Sequence, residues 1–469
     1  MSNKLRIYTL EGLTPEIKAV CFAKCSRSPE PFDEIAKELT EEKSSEFHEK
    51  WVVGYGHSSV AEHAVLSIAV ENLSILATKV LEDNRLASYT EKSTRYQIFD
   101  KNTYYKPERI INSPFAETYE RTGDYLFQVY EALTEPMMNF VKKKYPKPEN
   151  MGEKLYESVS KARACDNIRY LLPTATQTNL GLTMNARALE WAIAKLLSHP
   201  LEEMQEIGRE IKNVGQKITP TLIKYAEPNE YLQKTDQELR KLNEWIFGIQ
   251  PANSNIAVKL VNYDKSADNK LIASLLYKTS TLPYSQIKDN IERMPMAIKE
   301  AIINEALKYK KPYDRPLREL EHIYYTFDIL MDYGAFRDIQ RHRMATQTNQ
   351  AVTTVHGYSI PDEIIEAGYE TGFKNAMAVA EEAYQKLIKE FPEEAQYIVP
   401  LAYKKRTLIT WNLRELHHFI PLRSGKKGHI SYRRIAQECW REVESVHPLL
   451  AKYIAVDMDD TTFSTVGNK

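Results

Sequence analysis

An internal repeat constrains the fold of this chain more than any other feature of its sequence. Five residues of the first half return in the second half in the same order and at one constant interval: Pro173, Thr183, Asn185, Arg187 and Leu189 correspond to Pro400, Thr410, Asn412, Arg414 and Leu416. At a longer interval, Glu62-His63 corresponds to Glu321-His322, and Arg85-Leu86-Ala87-Ser88 to Arg343-Met344-Ala345-Thr346. The segments between the repeated blocks have therefore changed in length while the polar clusters have been kept, and we expect those clusters to contain the functional residues.

Both halves predict the same order of elements, which is a strand, a basic polar loop and a late helix opened by Thr-x-Asn-x-Arg. This order indicates an α+β fold made of two tandem units, residues 1–245 and 246–469. Short apolar runs predict strands at Leu5–Leu10, Ala64–Val70, Asn255–Tyr263 and Ile323–Leu330. Helices are predicted at Thr14–Lys24 and Ala267–Lys278, and the densely charged stretches Pro200–Lys212 and Ala376–Glu390 are predicted to be amphipathic helices.

The composition excludes several classes of function. The 469 residues contain 63 Lys plus Arg and 64 Asp plus Glu, a net charge of -1 that provides no general field for nucleic acid or an anionic membrane. Four cysteines without paired spacing suggest a reducing compartment, and we expect a cytoplasmic protein. A mean hydropathy of -0.49, with no long apolar run, argues against secretion and membrane insertion. Glu-His pairs alone lack ligand spacing, so no metal site is expected.

The stretch from Arg85 to Tyr96 concentrates hydroxyl and guanidinium groups in one short segment. The planar fork of Arg95, the Ser93 hydroxyl and backbone N–H groups would suit a terminal phosphate, and Glu91 would accept from a sugar hydroxyl. A helix cap followed by an exposed polar turn explains the same composition.

This segment resembles the signature of the flavin-dependent thymidylate synthases, R-H-R-x-x-S-x-N-E-x-S-x-R-Y. Its second half matches Arg85, Ser88, Glu91, Ser93, Arg95 and Tyr96, whereas Asp83, Asn84 and Thr90 replace the first Arg, the His and the Asn. Upstream, the segment from Gly56 to His63 is similar to the flavin-side segment of the family, which implies cofactor contacts for His57, Ser59 and Glu62. The resemblance implies that each unit has a small, mostly antiparallel sheet packed with helices.

The second unit resembles the other half of the same signature. Arg341-His342-Arg343 is an intact R-H-R, but the Glu, the second Ser and the Arg-Tyr are missing after it. Because the family's active site lies between protomers, the resemblance implies one composite site that combines Glu91, Ser93 and Arg95 with Arg341, His342 and Arg343. It implies substrate contacts for Ser88, Glu91, Ser93, Arg95 and Arg341, and cofactor contacts for Arg341, His342 and Arg343. The reciprocal site, formed by Asp83 and Asn84 with Asn349 and Ala351, would be nonproductive.

The late helices carry further residues that match the family. Leu422-Arg423 matches the pair whose arginine contacts the uracil ring, while the first unit has Leu196-Leu197 with Lys195 nearby. Arg169 matches a phosphate-contacting arginine before Leu-Pro, and Gln396 replaces it in the second unit. Contacts to the flavin are implied for Asn185, Arg187, Asn412 and Arg414. Alternatively, each Asn caps a helix whose Arg pairs with a neighbouring carboxylate.

The resemblance implies an FAD-dependent thymidylate synthase that methylates dUMP reductively with methylenetetrahydrofolate and NADPH. None of the cysteines, at positions 21, 25, 165 and 439, lies in a Pro-Cys-His context, so electrostatic polarisation of the ring by Arg423 is the expected route. A homodimer would imitate the family's tetramer. Two alternatives stay open, namely an inactive flavin- or nucleotide-binding paralogue and a flavin enzyme that modifies uracil C5 differently.

Overall fold

Two antiparallel sheets, one in each half of the chain, organise the molecule. The computed structural model describes residues 5–54, 58–101, 103–248, 250, 254–311 and 313–459. The first sheet has the order β1-β3-β2 and comprises β1 Val65–Ser74, β2 Ala87–Glu91 and β3 Gln177–Asn185. The second has the order β4-β5-β7-β6 and comprises β4 Val258–Tyr263, β5 Tyr324–Asp332, β6 Thr346–Asn349 and β7 Lys404–Asn412. Both sheets therefore share one three-stranded pattern, and β4 is an addition.

Alternating side chains explain why these strands form. In β3, Leu180, Leu182 and Met184 are buried and the residues between them face outward. A period of two places the apolar residues on one face, which packs against helices. The predicted strands near Ala64, Asn255 and Ile323 are confirmed, whereas the run from Leu5 to Leu10 has no regular secondary structure. The prediction of a polar loop in the first half is also partly wrong, because residues 87–91 form β2.

Helices cover the inner faces of the sheets and link the strands. The α-helices are Pro15–Lys24, Phe32–Lys37, Glu41–Phe47, Ile75–Leu81, Glu108–Ile111, Ala116–Lys144, Glu153–Ile168, Ala186–Leu197, Glu202–Gln216, Glu230–Phe247, Ala267–Tyr277, Tyr284–Glu292, Met296–Leu307, Tyr333–Ile339, Asp362–Glu366, Glu370–Leu387, Leu413–Ser424, Ile430–Val446 and Pro448–Ala451. Shorter helical turns lie at His48–Gly54, Ser58–His63, Arg169–Leu171, Arg318–His322 and Glu394–Ile398. Within the described residues, none of the helices combines the length and apolarity needed to cross a membrane.

The two halves meet through equivalent segments. Pro173 pairs with Pro400 in an isolated antiparallel bridge. On either side of it, Thr174 N donates to Val399 O at 2.9 Å, and Leu401 N donates to Leu172 O at 2.9 Å. Equivalent segments that pair antiparallel with each other are related by an approximate two-fold rotation. One continuous apolar core then extends across both halves, so each site between them contains residues from both.

Candidate active site

The structure brings the two polar clusters together at the junction between the halves. From the first half, Arg95 follows β2, and Asp166 lies in the last turn of the helix Glu153–Ile168. Nε and Nη2 of Arg95 donate to the two carboxylate oxygens of Asp166 at 2.7 and 2.8 Å, a bidentate pair. Arg169 Nε lies 3.8 Å from the same carboxylate. This side chain is 2% exposed, and its Nε and Nη2 have no hydrogen-bond partner among the residues that the structure describes.

From the second half, a hydrogen-bonded chain orients Arg423. Arg423 lies in the last turn of the helix Leu413–Ser424, and its Nε donates to His342 Nε2 at 2.9 Å. His342 Nδ1 is 3.0 Å from Glu415 Oε1, so the imidazole is protonated at Nδ1 and donates there. Burial lowers the pKa of His342, although the bond to Glu415 opposes that shift. The neutral imidazole therefore fixes the direction of the Arg423 guanidinium.

Asp338 connects the two clusters into one composite site. Arg423 Nη1 lies 3.5 Å from Asp338 Oδ1. Burial raises the pKa of Asp338, but the combined fields of Arg169, Arg341, Arg423 and Arg95 outweigh burial and hold this pKa below its ordinary value. Two of these arginines come from each half of the chain. Four guanidinium groups thus surround Asp166 and Asp338, and the positive charges exceed these two carboxylates by two.

Arg341 is the member of this group that is open to solvent. Its side chain is exposed, and it forms no hydrogen bond or ion pair within the part of the chain that the structure describes. Behind the cluster, Arg95, Asp166 and His429 line a cavity of about 470 Å³. Burial lowers the pKa of His429. The arrangement offers fixed donors and a net positive charge beside a cavity, which is suited to an anionic group.

Glu91 does not lie where the sequence analysis expected it. Its carboxylate is 1% exposed and lies inside the protein between Arg337 Nη2, at 2.8 Å, and Lys79 Nζ, at 3.0 Å. Arg337 also donates to Thr94 Oγ1 at 2.9 Å. Burial raises the pKa of Glu91, but Arg337 and Lys79 outweigh it and lower this pKa to about 2. Glu91 is therefore paired internally, and burial keeps its carboxylate away from a sugar hydroxyl in a surface site.

Arg343 also has a partner within the protein. Its Nη2 donates to Ala87 O at 2.5 Å, and its guanidinium lies 4.9 Å from the ring centre of Tyr89. In the equivalent place, Arg85 Nη2 donates to Ala345 O at 3.1 Å. The two equivalent arginines thus clamp each half to the other. The cofactor contact predicted for Arg343 stays a prediction.

The two serines of the motif lie on β2 and in the turn that follows it. Ser88 is exposed on β2, where it pairs in register with Thr183. Ser93 Oγ accepts from the backbone N–H of Arg95 at 3.2 Å, which shapes the turn after β2. The predicted substrate role of both hydroxyls stays a prediction.

The residues predicted to hold flavin form matching pairs on the surface. Asn185 caps the helix Ala186–Leu197 by accepting from Ala188 N at 2.9 Å, and Asn412 caps the helix Leu413–Ser424 by accepting from Glu415 N at 2.8 Å. Both caps agree with the alternative interpretation of these residues. Arg187 pairs with Glu62 in the first half, as Arg414 does with Glu321 in the second. Ser59 is exposed nearby, and His57 lies outside the described residues. The guanidinium groups keep unused N–H donors, and their flavin contacts stay predictions.

The reciprocal place holds a second, larger cavity of about 990 Å³. Asp83, Asn84, Asn349 and Ala351 line it together, as the repeat predicted. Lys195 does not act as a free substitute for an arginine, because its Nζ lies 3.5 Å from Asp83 Oδ2. This cavity therefore lacks the arginine cluster of the composite site.

Comparison with known proteins shows the family. A family model described as thymidylate synthase complementing protein matches two segments of the chain, residues 10–221 and 259–449. The chain belongs to this family. A UPF0159 protein of Chlamydia pneumoniae is 34% identical over 494 residues, covering 97% of this chain and 92% of the relative. The flavin-dependent thymidylate synthase of Clostridium tetani is 29% identical over 221 residues, covering 46% of this chain and 83% of that enzyme.

A solved structure gives a more distant comparison. The flavin-dependent thymidylate synthase of Helicobacter pylori, complexed with FAD and dUMP, is 20% identical with a TM-score of 0.33. The match covers 42% of this chain and 99% of that one.

Four residues of the site were not predicted from the sequence, namely Asp166, Arg337, Asp338 and His429. Arg337 and Asp338 lie three to four positions before Arg341-His342-Arg343, so proximity to that motif was the available signal. The role of Asp166 had no such signal, because it depends on a contact with Arg95 across 71 positions.

Proposed function

We propose that the chain is an FAD-dependent thymidylate synthase that converts dUMP to dTMP at the composite site. One observation carries the proposal: guanidinium groups from both halves converge on one site with excess positive charge. Within the described part of the chain, Arg169 keeps two buried nitrogens without partners and Arg341 is unpaired. Such donors fit a phosphate monoester, which carries close to two negative charges at neutral pH.

Arg423 then has a defined task at the pyrimidine. Its guanidinium is held by His342 and would stabilise negative charge on a ring carbonyl as C5 becomes nucleophilic. The alternative route through a thiolate has no support from the cysteines. Burial raises the pKa of Cys165 to about 11 and that of Cys439 well above its ordinary value, so both stay protonated at neutral pH. Electrostatic polarisation is therefore the route that these residues favour.

The exposed arginines fit a flavin. Arg187 and Arg414 have guanidinium groups that are half-exposed or less and engaged through only part of their N–H donors, so they could hold a pyrophosphate. Arg341 would contact both the flavin and the substrate, and its side chain would lie toward the substrate. When bound and reduced, FAD supplies the hydride for the transferred carbon. Methylenetetrahydrofolate as the carbon donor, NADPH as the reductant, a cytoplasmic location and a homodimer are parts of the same proposal.

A dUMP-binding and turnover experiment tests the proposal. Arg95→Met and Arg423→Met should each weaken dUMP binding roughly 10- to 150-fold, the loss of one hydrogen bond to a charged group. Formation of dTMP with FAD, methylenetetrahydrofolate and NADPH should fall with it. Asn349→Ala is the matched control in the reciprocal cavity and should leave both measurements unchanged.

Three outcomes would contradict the proposal in different ways. Wild-type protein that takes up neither FAD nor dUMP would exclude the function altogether. Binding of both without any product would favour an inactive paralogue. A uracil product other than dTMP, identified by mass spectrometry, would favour different chemistry at C5.

A further inference from the structure

The reciprocal cavity differs from the composite site in its chemistry as well as its size. At the positions of Arg341 and His342 it has Asp83 and Asn84, and at the position of Arg169 it has Gln396. Its volume of about 990 Å³ exceeds the cavity of about 470 Å³ beside Arg95. A cavity this large at an interface between two halves of a chain is a typical place for a small molecule. The lost arginines mean that it is not a second phosphate site.

One buried ammonium group faces this cavity without a counter-charge. Lys405 lines the cavity and is 7% exposed. Its Nζ lies 4.2 Å from the ring centre of Phe336 and 5.5 Å from that of Tyr333. Among the described residues, it forms no hydrogen bond and has no carboxylate within 4 Å. The equivalent residue of β3 is neutral Thr178, so this cation is specific to the second half.

The other cations of the cavity wall are already neutralised. Each has a carboxylate within 4 Å: Lys79 with Glu82 and Glu91, Lys195 with Asp83, Lys234 with Glu230, and Arg240 with Asp236 and Glu393. Because no carboxylate among the described residues balances Lys405, burial disfavours its charged form, and a lysine kept at a cavity wall in this state points to an anionic ligand that completes the pair. Burial lowers the pKa of Lys405 to about 7, and the more distant Asp83 opposes that shift.

The rest of the wall defines the ligand further. Phe336, Tyr333 and aliphatic side chains such as Leu76 form an apolar surface beside the ammonium. Carboxamides, among them Asn349 and Gln350, supply neutral donors and acceptors elsewhere, whereas the amide of Gln396 is bonded to the backbone at Val352 and Glu393. One free positive charge matches one negative charge, and it cannot neutralise a phosphate dianion.

We propose that the reciprocal cavity is a second ligand site, which binds an organic monoanion with one carboxylate on an apolar or aromatic ring. The carboxylate pairs with Lys405, the ring packs on Phe336 and Tyr333, and the carboxamides bind the remaining polar groups. The site is separate from the composite site and does not depend on the reaction catalysed there.

Three probes that share one ring test this inference. Isothermal titration calorimetry is carried out on the full chain with 2-naphthoate, 2-naphthamide and 2-naphthyl phosphate. We expect naphthoate to bind at least about ten-fold more tightly than the neutral amide, because only naphthoate pairs with the ammonium. Lys405→Met should abolish that preference, whereas Arg423→Met should retain it. Naphthyl phosphate should show no dependence on Lys405.

Proton uptake gives a second measurement that needs no variant. Pairing with a carboxylate raises the pKa of Lys405, so binding at pH 8 should take up close to one proton per naphthoate. The uptake is measured from the dependence of the binding enthalpy on the buffer, and it should vanish in Lys405→Met. Naphthoate binding that is unchanged in Lys405→Met, lost in Arg423→Met, or accompanied by no proton uptake would overturn the proposal. No naphthoate binding at millimolar concentration would overturn it as well.

Discussion

Replacing Glu91 by Gln distinguishes an internal ion pair from a ligand contact. The change removes a carboxylate that lies 2.8 Å from Arg337 and 3.0 Å from Lys79. Lys79 would keep Glu82 as a partner, but among the described residues Arg337 would keep only the Thr94 hydroxyl. Breaking a buried pair costs about 3–5 kcal/mol, and we expect the lower end because one cation stays paired.

The assay is thermal unfolding of the ligand-free chain. About 3 kcal/mol corresponds to a fall in Tm of roughly 6–12 °C for a unit of this size. Because the pKa of Glu91 in the folded protein is about 2, its stabilisation is complete above its ordinary pKa of 4.5 and is lost only as the pH falls towards 2. The difference in stability between wild type and Glu91→Gln should therefore be the same at pH 7 and pH 5.5.

Two further variants make the test specific. Glu238→Gln removes a carboxylate from an exposed pair with Lys241, and it should change stability by less than about 0.5 kcal/mol. Adding Arg337→Met to Glu91→Gln should cost less than the sum of the two single changes, because it removes the unpaired cation. A Tm within about 2 °C of wild type, combined with a large loss of dUMP affinity, would refute the internal role and restore the ligand contact.

Two other predictions concern the site. Arg187→Gln removes a half-exposed ion pair with Glu62, so the free energy of unfolding should change by less than about 1 kcal/mol. The affinity for FAD, measured by flavin fluorescence, should fall. A lower Tm with unchanged FAD affinity would show that Arg187 has a structural role and does not bind the flavin. His342→Leu should lower kcat/KM for dUMP roughly 10- to 150-fold, because Arg423 loses its acceptor, whereas His342→Gln should retain most of it by accepting through Oε1. Equal losses in both His342 variants would contradict a positioning role for this imidazole.

Local patterns predicted much of the architecture. Asn185 and Asn412 mark the starts of their helices, because an asparagine side chain can satisfy a free backbone N–H at a helix N-terminus. Short apolar runs predicted the strands near Ala64 and Ile323. The strand predicted at Leu5–Leu10 was wrong. A strand also needs a neighbouring strand to pair with, and a short apolar run does not show whether one is present.

The sequence by itself determined that two related units exist and that each retains a different half of one polar motif. Only the tertiary structure decided which side chains meet. Arg337 approaches Glu91 across 246 positions, and the two arginine pairs converge on Asp338 from opposite halves. The type of a residue determines the charge of its side chain, but its ion-pair partner and its desolvation depend on how the two halves pack. For that reason Glu91 became an internal counter-ion, and Lys405 became a buried ammonium beside a cavity.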